Sequence, residues 1–574
     1  MDLKTRIDIA AGREPADLVF KNGRIVNVFS CEIHEGDVAV AGDRIVGVGQ
    51  YEGKETVDLA GRYICPGFID GHVHIESSML SVPEFAKVVV TRGTTAVVTD
   101  PHEIANVMGA EGIRFMLASS KYCPIHVYFT ASASVPASQF ESAGGELRAL
   151  DLRPFLSDRW VLGLAEVMNY HGVVAGDPEC LDKLRLTDNQ PIDGHAPGLS
   201  GHELCAYVAA GIDTEHECTT LDEAREKLRL GLNIMIREGS QARDLDALLP
   251  LVRPDTLDRF MFVTDDKHVD DLLADGHIDH MIRRAVAAGM NPIHAIKLVT
   301  LNPARHFGLN ELGAVAPDHL ASLVILDDLE QCRARRVYCA GRLVAADGEA
   351  LELDEMVRKP KMLRGSINVH WMEPEHFAIA APHEGEFDVH VIEIMDDRID
   401  SRRSIERIRA DGGQFHADPK RDLCKLAVIE RHQASGNVGL GFVRGFGFST
   451  GAIASSVGHD SHNLVVAGTN DHDMYTAAVH IVKIRGGFCV VKNGKVLADV
   501  TLPIAGLMST VDARTLSAQL RTLRAAAQAL DGKLRRPFMA LSFLSLSVIG
   551  ELKLTDRGLV DVRKYELIDL VASE

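Results

Sequence analysis

Between residues 64 and 311, short apolar runs rich in β-branched residues recur, and helical stretches separate them. The runs are residues 96–99 (AVVT), 125–129 (IHVYF), 161–165 (VLGLA), 233–236 (NIMI) and 259–263 (RFMFV). Each is short and largely apolar, so each reads as a strand covered on both faces, as in a parallel sheet. Such a succession over about 250 residues predicts a (β/α)8 TIM-type barrel. An open doubly wound sheet is the rival. It is weakened because no GxGxxG or GxxxxGK[ST] phrase opens a helix.

The flanks have a different texture. Residues 16–62 read as short strands with turns. One hairpin is expected about Asn22-Gly23, between 18–20 and 25–28. Another is expected about Ala41-Gly42-Asp43, between 37–40 and 44–48. Strand-like runs return at 321–326 and 336–344, so residues 1–63 and 312–355 are expected to build one small β-sandwich domain around the barrel of 64–311. Residues 356–574 make an additional C-terminal α+β domain, with strands near 464–467 and 488–491 and a helix near 512–531. The phrase at 491–497 (VKNGKVL) echoes 20–26 (FKNGRIV); a shared turn preference explains the echo as well as duplication does. Three units suit 574 residues, since one core rarely grows past about 300.

Composition excludes several classes. A net charge of −20 argues against a nucleic-acid partner. The ten cysteines form no CxxC pair, which removes zinc ribbons and thioredoxin-like sites. No run of about 18 apolar residues predicts a membrane span, and the charged first residues lack the apolar core of a signal peptide. A cytoplasmic location is expected.

The phrase Pro66-Gly67-Phe68-Ile69-Asp70-Gly71-His72-Val73-His74 carries the first chemistry. Residues i and i+2 of a strand share a face, so His72 and His74 converge as a metal site requires. In a barrel, the C-terminal strand ends face the active-site mouth. Glu166, His195, His216 and Asp265 stand at later predicted strand ends. Five such positions in one barrel point to a metal centre. Neighbouring histidines invite weighing: His102 follows another strand, and Asn169 and His171 follow Glu166. All three are candidates to contact substrate or to support the ligands. The phrase GHDSHN (458–463) looks ligand-like but also reads as a polar surface loop.

The order HxH, carboxylate, His, His, Asp resembles the amidohydrolase superfamily. The phrases PGFIDGHVHIESSM, GLAEVMNYHGV, IDGHAPGLSG, DTEHECTT and FVTDD resemble the bacterial adenine deaminase family, as do GHDSHN and FLSLSVIGELKLTDRGLVDV in the tail. The resemblance implies a hydrolase of purine salvage that deaminates adenine to hypoxanthine and ammonia. It implies two divalent metal ions, Mn or Fe(II) before Zn, that ionise a water. His72, His74 and Asp265 would hold one ion, His195 and His216 the other, and Glu166 would bridge. Many superfamily members bridge with a carbamylated lysine; here no lysine follows Glu166 before Lys183, which departs from dihydroorotase- and hydantoinase-like enzymes. Asp265 would carry the water proton to the leaving group, and Glu166 or Glu76 would protonate the ring. Large barrels of this superfamily often associate, so a homo-oligomer, a dimer, is expected. Rival readings are an amidohydrolase acting on another aminopurine or a cyclic amide, and a non-catalytic scaffold. A cytidine-deaminase-type zinc enzyme is excluded, because no PCxxC occurs.

Overall fold

The computed structural model describes residues 1–352, 365–395, 398 and 400–572. The boundary expected between 355 and 356 lies outside the described residues.

Eight parallel strands occupy the centre. Five pair in the order Ile192–Gly194, Val161–Val167, His126–Ser132, Thr94–Thr99 and Phe68–Val73; three more pair as Thr214–Glu215, Asn233–Arg237 and Phe260–Val263. The two sets meet at both edges. Asp265 N–H donates to the His72 carbonyl at 3.0 Å, and Asp213 N–H donates to the Ile192 carbonyl at 3.1 Å. The sheet thus curls into a TIM-type fold. Thr94–Thr99 and Phe260–Val263 are buried along their whole length, as the apolar runs predict, and so is Phe68–Val73, which carries Asp70 and His72. Val98, Met235, Met261 and Val263 come from three strands and pack in one cluster.

In the first strand the register slips between Asp70 and Val73. Asp70 hydrogen-bonds Thr264 and lies 3.0 Å from His277 Nε2, while His72 and His74 turn toward one another. Slips of this kind re-aim side chains beside functional sites.

Where a two-sheet sandwich is expected, the flanking strands join edge to edge into one nine-stranded sheet. Four register slips bend it. Ala16–Asn27 and Ala334–Cys339 stand three strand spacings apart in the pairing order, about 14 Å if flat. The Phe20 and Tyr338 rings nevertheless meet at 4.9 Å, so the sheet curls over its own core. The first expected hairpin is absent. Asn22, at φ 57°, makes a bulge inside one strand, Ala16–Asn27, and the chain turns back only before Glu32–Ala41. Asn493-Gly494 does form a tight turn, between Gly487–Lys492 and Lys495–Thr501. One dipeptide serves two backbone jobs, because both need only a positive φ. The second expected hairpin is found, Glu32–Ala41 against Arg44–Gly49.

The C-terminal region holds an eight-stranded sheet, order Ser401–Ala410, Gly385–Ile394, Val438–Arg444, Leu423–Ile429, Leu464–Gly468, Ala452–Ser455, Gly487–Lys492 and Lys495–Thr501. Helix Asp471–Ile484 buries Met474, Ala477, Ala478 and Ile481 against it, and Asn470 caps its start by accepting from Asp473 N–H. Helix Ala513–Gln528 falls where expected, capped by Asp512. The loop between Ala452–Ser455 and Leu464–Gly468 reaches the barrel mouth. No helix among the described residues is long and apolar enough to cross a membrane.

Candidate active site

Glu166, at the end of Val161–Val167, stands where the other predicted ligands converge. Its Oε1 lies 2.8 Å from His74 Nε2 and 3.3 Å from His72 Nε2. Its Oε2 lies 2.7 Å from His195 Nδ1 and 3.1 Å from His216 Nε2. Asp265 Oδ1 completes the first group, 3.2 Å from His74 Nε2 and 3.5 Å from His72 Nε2. All six residues are buried. His195 reaches its place because Gly194 precedes it: a Cβ on Gly194 would lie 2.6 Å from the Thr214 carbonyl oxygen.

The tautomers follow from the outer nitrogens. His72 Nδ1 faces Asp193 Oδ2 at 2.7 Å, and His74 Nδ1 faces the Asp100 carbonyl at 3.0 Å. Each therefore donates outward from Nδ1 and turns a lone pair inward at Nε2. These two lone pairs are 3.2 Å apart with carboxylate oxygens beside them, and nothing in the group donates. Positive charge is needed among them, which a proton or a metal cation supplies. Ligands about 2.1 Å from a tetrahedral cation stand about 3.4 Å from one another. The observed separations, 2.8–3.5 Å in the first group and 2.7–3.3 Å in the second, fit a cation in each.

The electrostatics agree. Burial opposes charge on His72, but Asp193, Asp265 and Glu166 raise its pKa well above the imidazole range. Burial likewise pushes the Glu166 carboxyl up, yet His216, His195 and His72 more than offset this and hold it well below the usual carboxylate range. For Asp265 the same opposition is settled by His72, His74 and Arg237, again downward.

Of the other candidates, His102 is brought to this pocket. Its ring packs edge-on against His74 at 4.6 Å, and its Nδ1 lies 3.0 Å from Asp100 Oδ2. Glu76 is not: it is buried outside the pocket lining, with Oε1 accepting from Ile104 N–H at 3.2 Å, because the backbone after His74 turns into a short 3-10 segment. Asn169 is not either. It caps helix Tyr170–Ala175 by accepting from Gly172 N–H and lines a neighbouring cavity. His171 packs against Tyr170 and Tyr565. Cys218 is buried and joins neither ligand group.

The amidohydrolase family profile matches residues 63–344, and the adenine deaminase C-terminal domain profile matches residues 399–566. Adenine deaminase 2 of Carboxydothermus hydrogenoformans is 45% identical over 99% of this chain and 99% of its own. Adenine deaminase of Geobacillus kaustophilus is 46% identical, again over 99% of each. This chain belongs to the adenine deaminase family. The crystal structure of an adenine deaminase aligns with 57% of this chain and 99% of that one, at 18% identity and a TM-score of 0.45.

In this member of the adenine deaminase family, several site residues escape a strand-end search. Asp193 is one. It lies beneath the ligands, bonded to His72 Nδ1, and so orients that imidazole; His216 Nδ1 stands 3.6 Å away, beyond hydrogen-bond length. Asp100 is another, accepting from Glu166 N–H at 2.7 Å. Both stand two residues before histidines already singled out, a signal the sequence does offer. Arg237 is fully buried and ties Glu217, Asp244 and Asp265 together. The largest surprise is distant in sequence. His459 and His462 of GHDSHN clamp the two oxygens of Glu103, and His459 and Asp460 line the same pocket as the ligands.

Asp193→Asn keeps the shape but removes the charge that orients His72. Metal affinity is expected to fall about 10- to 100-fold, measured by competition with a chelator, with the fold intact by circular dichroism. Unchanged affinity would show that Asp193 does not orient this ligand.

Proposed function

We propose that this chain hydrolyses adenine to hypoxanthine and ammonia. The observation that carries the reading is the convergence of two imidazole pairs on Glu166, in a chain related end to end to named adenine deaminases. Residues 1–63 with 312–355 would form the β-domain, 64–311 the catalytic barrel, and 356–574 the C-terminal domain. His72, His74 and Asp265 would hold one divalent cation, His195 and His216 the other, with Glu166 shared; imidazole and carboxylate donors without thiolate accept Mn, Fe(II) or Zn. Bound there, such cations lower the pKa of a water they hold from roughly 15.7 to about 7.

The protein's own part is positioning and proton transfer. The water oxygen bonds to C6, one water proton ends on N1 and the other on the departing amino group, and the C6–N6 bond breaks. Asp265 has its Oδ2 3.3 Å from Arg237 Nη1 and its Oδ1 facing the ligand nitrogens. It takes the proton from the attacking water and returns it to the leaving nitrogen. Glu76 lies outside the pocket lining, and both Glu166 oxygens face ligand nitrogens, so neither carboxyl first considered is placed to hold the N1 proton. Met168, Phe543, Leu546 and Ile549 supply apolar walls for a flat ring.

The test is ammonia release by Mn-loaded protein offered adenine, guanine, adenosine and cytosine. Turnover is expected with adenine. It should vanish with a chelator and return with Mn or Fe(II). Activity on adenosine but not adenine would reject the substrate. Fewer than one metal per chain, without rescue by added ion, would favour a non-catalytic scaffold.

A further inference from the structure

We propose that Asp460, delivered by the C-terminal region, accepts a hydrogen bond from the imidazole N–H of the purine and so restricts the pocket to free bases. This rests on the adenine reading above.

Residues 459–463 are at most 5% exposed, which is unlike a surface loop. They are tied to both sides of the site. His459 N–H donates to the Ser542 carbonyl at 2.9 Å, the Arg431 guanidinium donates to the His462 carbonyl, and Glu103 of the barrel holds the His459 and His462 rings. Asp460 is fixed between these anchors and lines the ligand pocket.

The other carboxyls lining this pocket are spoken for; nearby Glu141 has both oxygens unpartnered among the described residues but lies outside the lining. Glu103 meets two imidazoles, Glu217 meets Arg237, Asp266 accepts from Ser77 Oγ, and Asp265 meets Arg237 and the ligand histidines. Asp460 differs. Its Oδ1 is 3.7 Å from His102 Nε2 and 3.8 Å from His459 Nδ1, both beyond hydrogen-bond length. Its Oδ2 is enclosed and has no partner among the described residues. A buried carboxylate oxygen left unpaired is costly, so the pocket is built for a ligand that donates there.

The position suits one donor of the purine. His102 spans the gap: its Nδ1 is 3.9 Å from Glu166 Oε1, and its Nε2 faces Asp460. Asp460 thus stands one imidazole beyond the ligand cluster. With C6 presented to that cluster, the far side of the base is its five-membered ring, whose N–H is the donor available. An N9-substituted adenine carries a carbon there and has no N–H to give. Sites that hydrogen-bond a substrate donor reject analogues lacking it by as much as about 10⁴-fold.

The experiment measures hypoxanthine and 9-methylhypoxanthine binding to Mn-loaded wild type, Asp460→Ala and Asp460→Asn by calorimetry, with kcat/KM for adenine alongside. Wild type is expected to bind hypoxanthine far more tightly. Asp460→Ala should lose about 100-fold for hypoxanthine, the size of a charge-assisted hydrogen bond, and less than about 3-fold for the methylated base. Asp460→Asn retains an acceptor and should fall between. KM for adenine should rise more than kcat falls. Metal content and melting temperature control for folding. Equal losses for both ligands, or no loss, would overturn the assignment, as would the disappearance of a bound metal equivalent, which would make Asp460 a cation ligand. If the wild type fails to release ammonia from adenine, the functional reading falls. If it turns adenine over while the Asp460 variants bind like wild type, only this assignment falls.

Discussion

Asp265→Asn is expected to lower kcat for adenine by about 10³-fold while two metal equivalents remain bound, which is the scale of a lost general acid–base group. The residue lies beside both the ligand nitrogens and Arg237. Asparagine keeps the volume and one oxygen that can still face the cation. It loses the capacity to take a proton from water and return it to the leaving nitrogen. The loss should therefore fall on kcat, with KM little changed, because substrate contacts elsewhere are untouched. Stability should drop by only about 1–3 kcal/mol, since buried Arg237 keeps Glu217 and Asp244 as counter-charges. Steady-state kinetics with metal analysis reads this directly. Near-normal turnover would take Asp265 out of the proton path, and loss of a metal would make it a ligand first.

What could be read from the chain alone was whatever is encoded locally. Most strands of the barrel announce themselves because a strand buried on both faces is largely apolar, as residues 96–98 and 260–263 are. The His-x-His pair follows from the two-residue period of a strand, and the ligand order from the rule that barrel sites sit at strand ends. Asn22-Gly23 misled because a positive φ suits a bulge as well as a turn, and which one forms depends on the partner strand. Asp70 and His72, two residues apart, would share a face in a regular strand; the register slip that separates them depends on the neighbouring strand. The contribution of His459, Asp460 and His462 was hidden for a simpler reason. They lie more than 350 residues from Glu103, and no local periodicity reports that a polar loop will be driven into another domain's mouth. Only the charge on Glu103, buried and needing partners, connects them.

Glu166→Gln is expected to be more damaging than any of the other variants. Among the described residues its carboxyl is the one that faces both ligand groups: one oxygen faces His72 and His74, the other His195 and His216. Glutamine supplies one carbonyl oxygen and one amide that can only donate. The substitution removes the shared negative charge, and whichever way the amide turns, one imidazole pair faces its NH2 group in place of an acceptor. His72 and His74 would keep Asp265, but His195 and His216 would be left as two imidazoles without a carboxylate. Metal content should fall from two per chain to one or fewer, and ammonia release by at least about 10⁴-fold, because the loss of a cation removes the means of ionising water at neutral pH. Added Mn or Fe(II) should not restore activity, in contrast to Asp193→Asn, where the ligands themselves survive. The comparison separates holding a cation from orienting its ligands: one variant loses stoichiometry, the other affinity. Two tightly bound metals in Glu166→Gln would mean that the imidazole pairs do not depend on a common carboxylate, and the shared centre at the heart of the proposed chemistry would have to be abandoned.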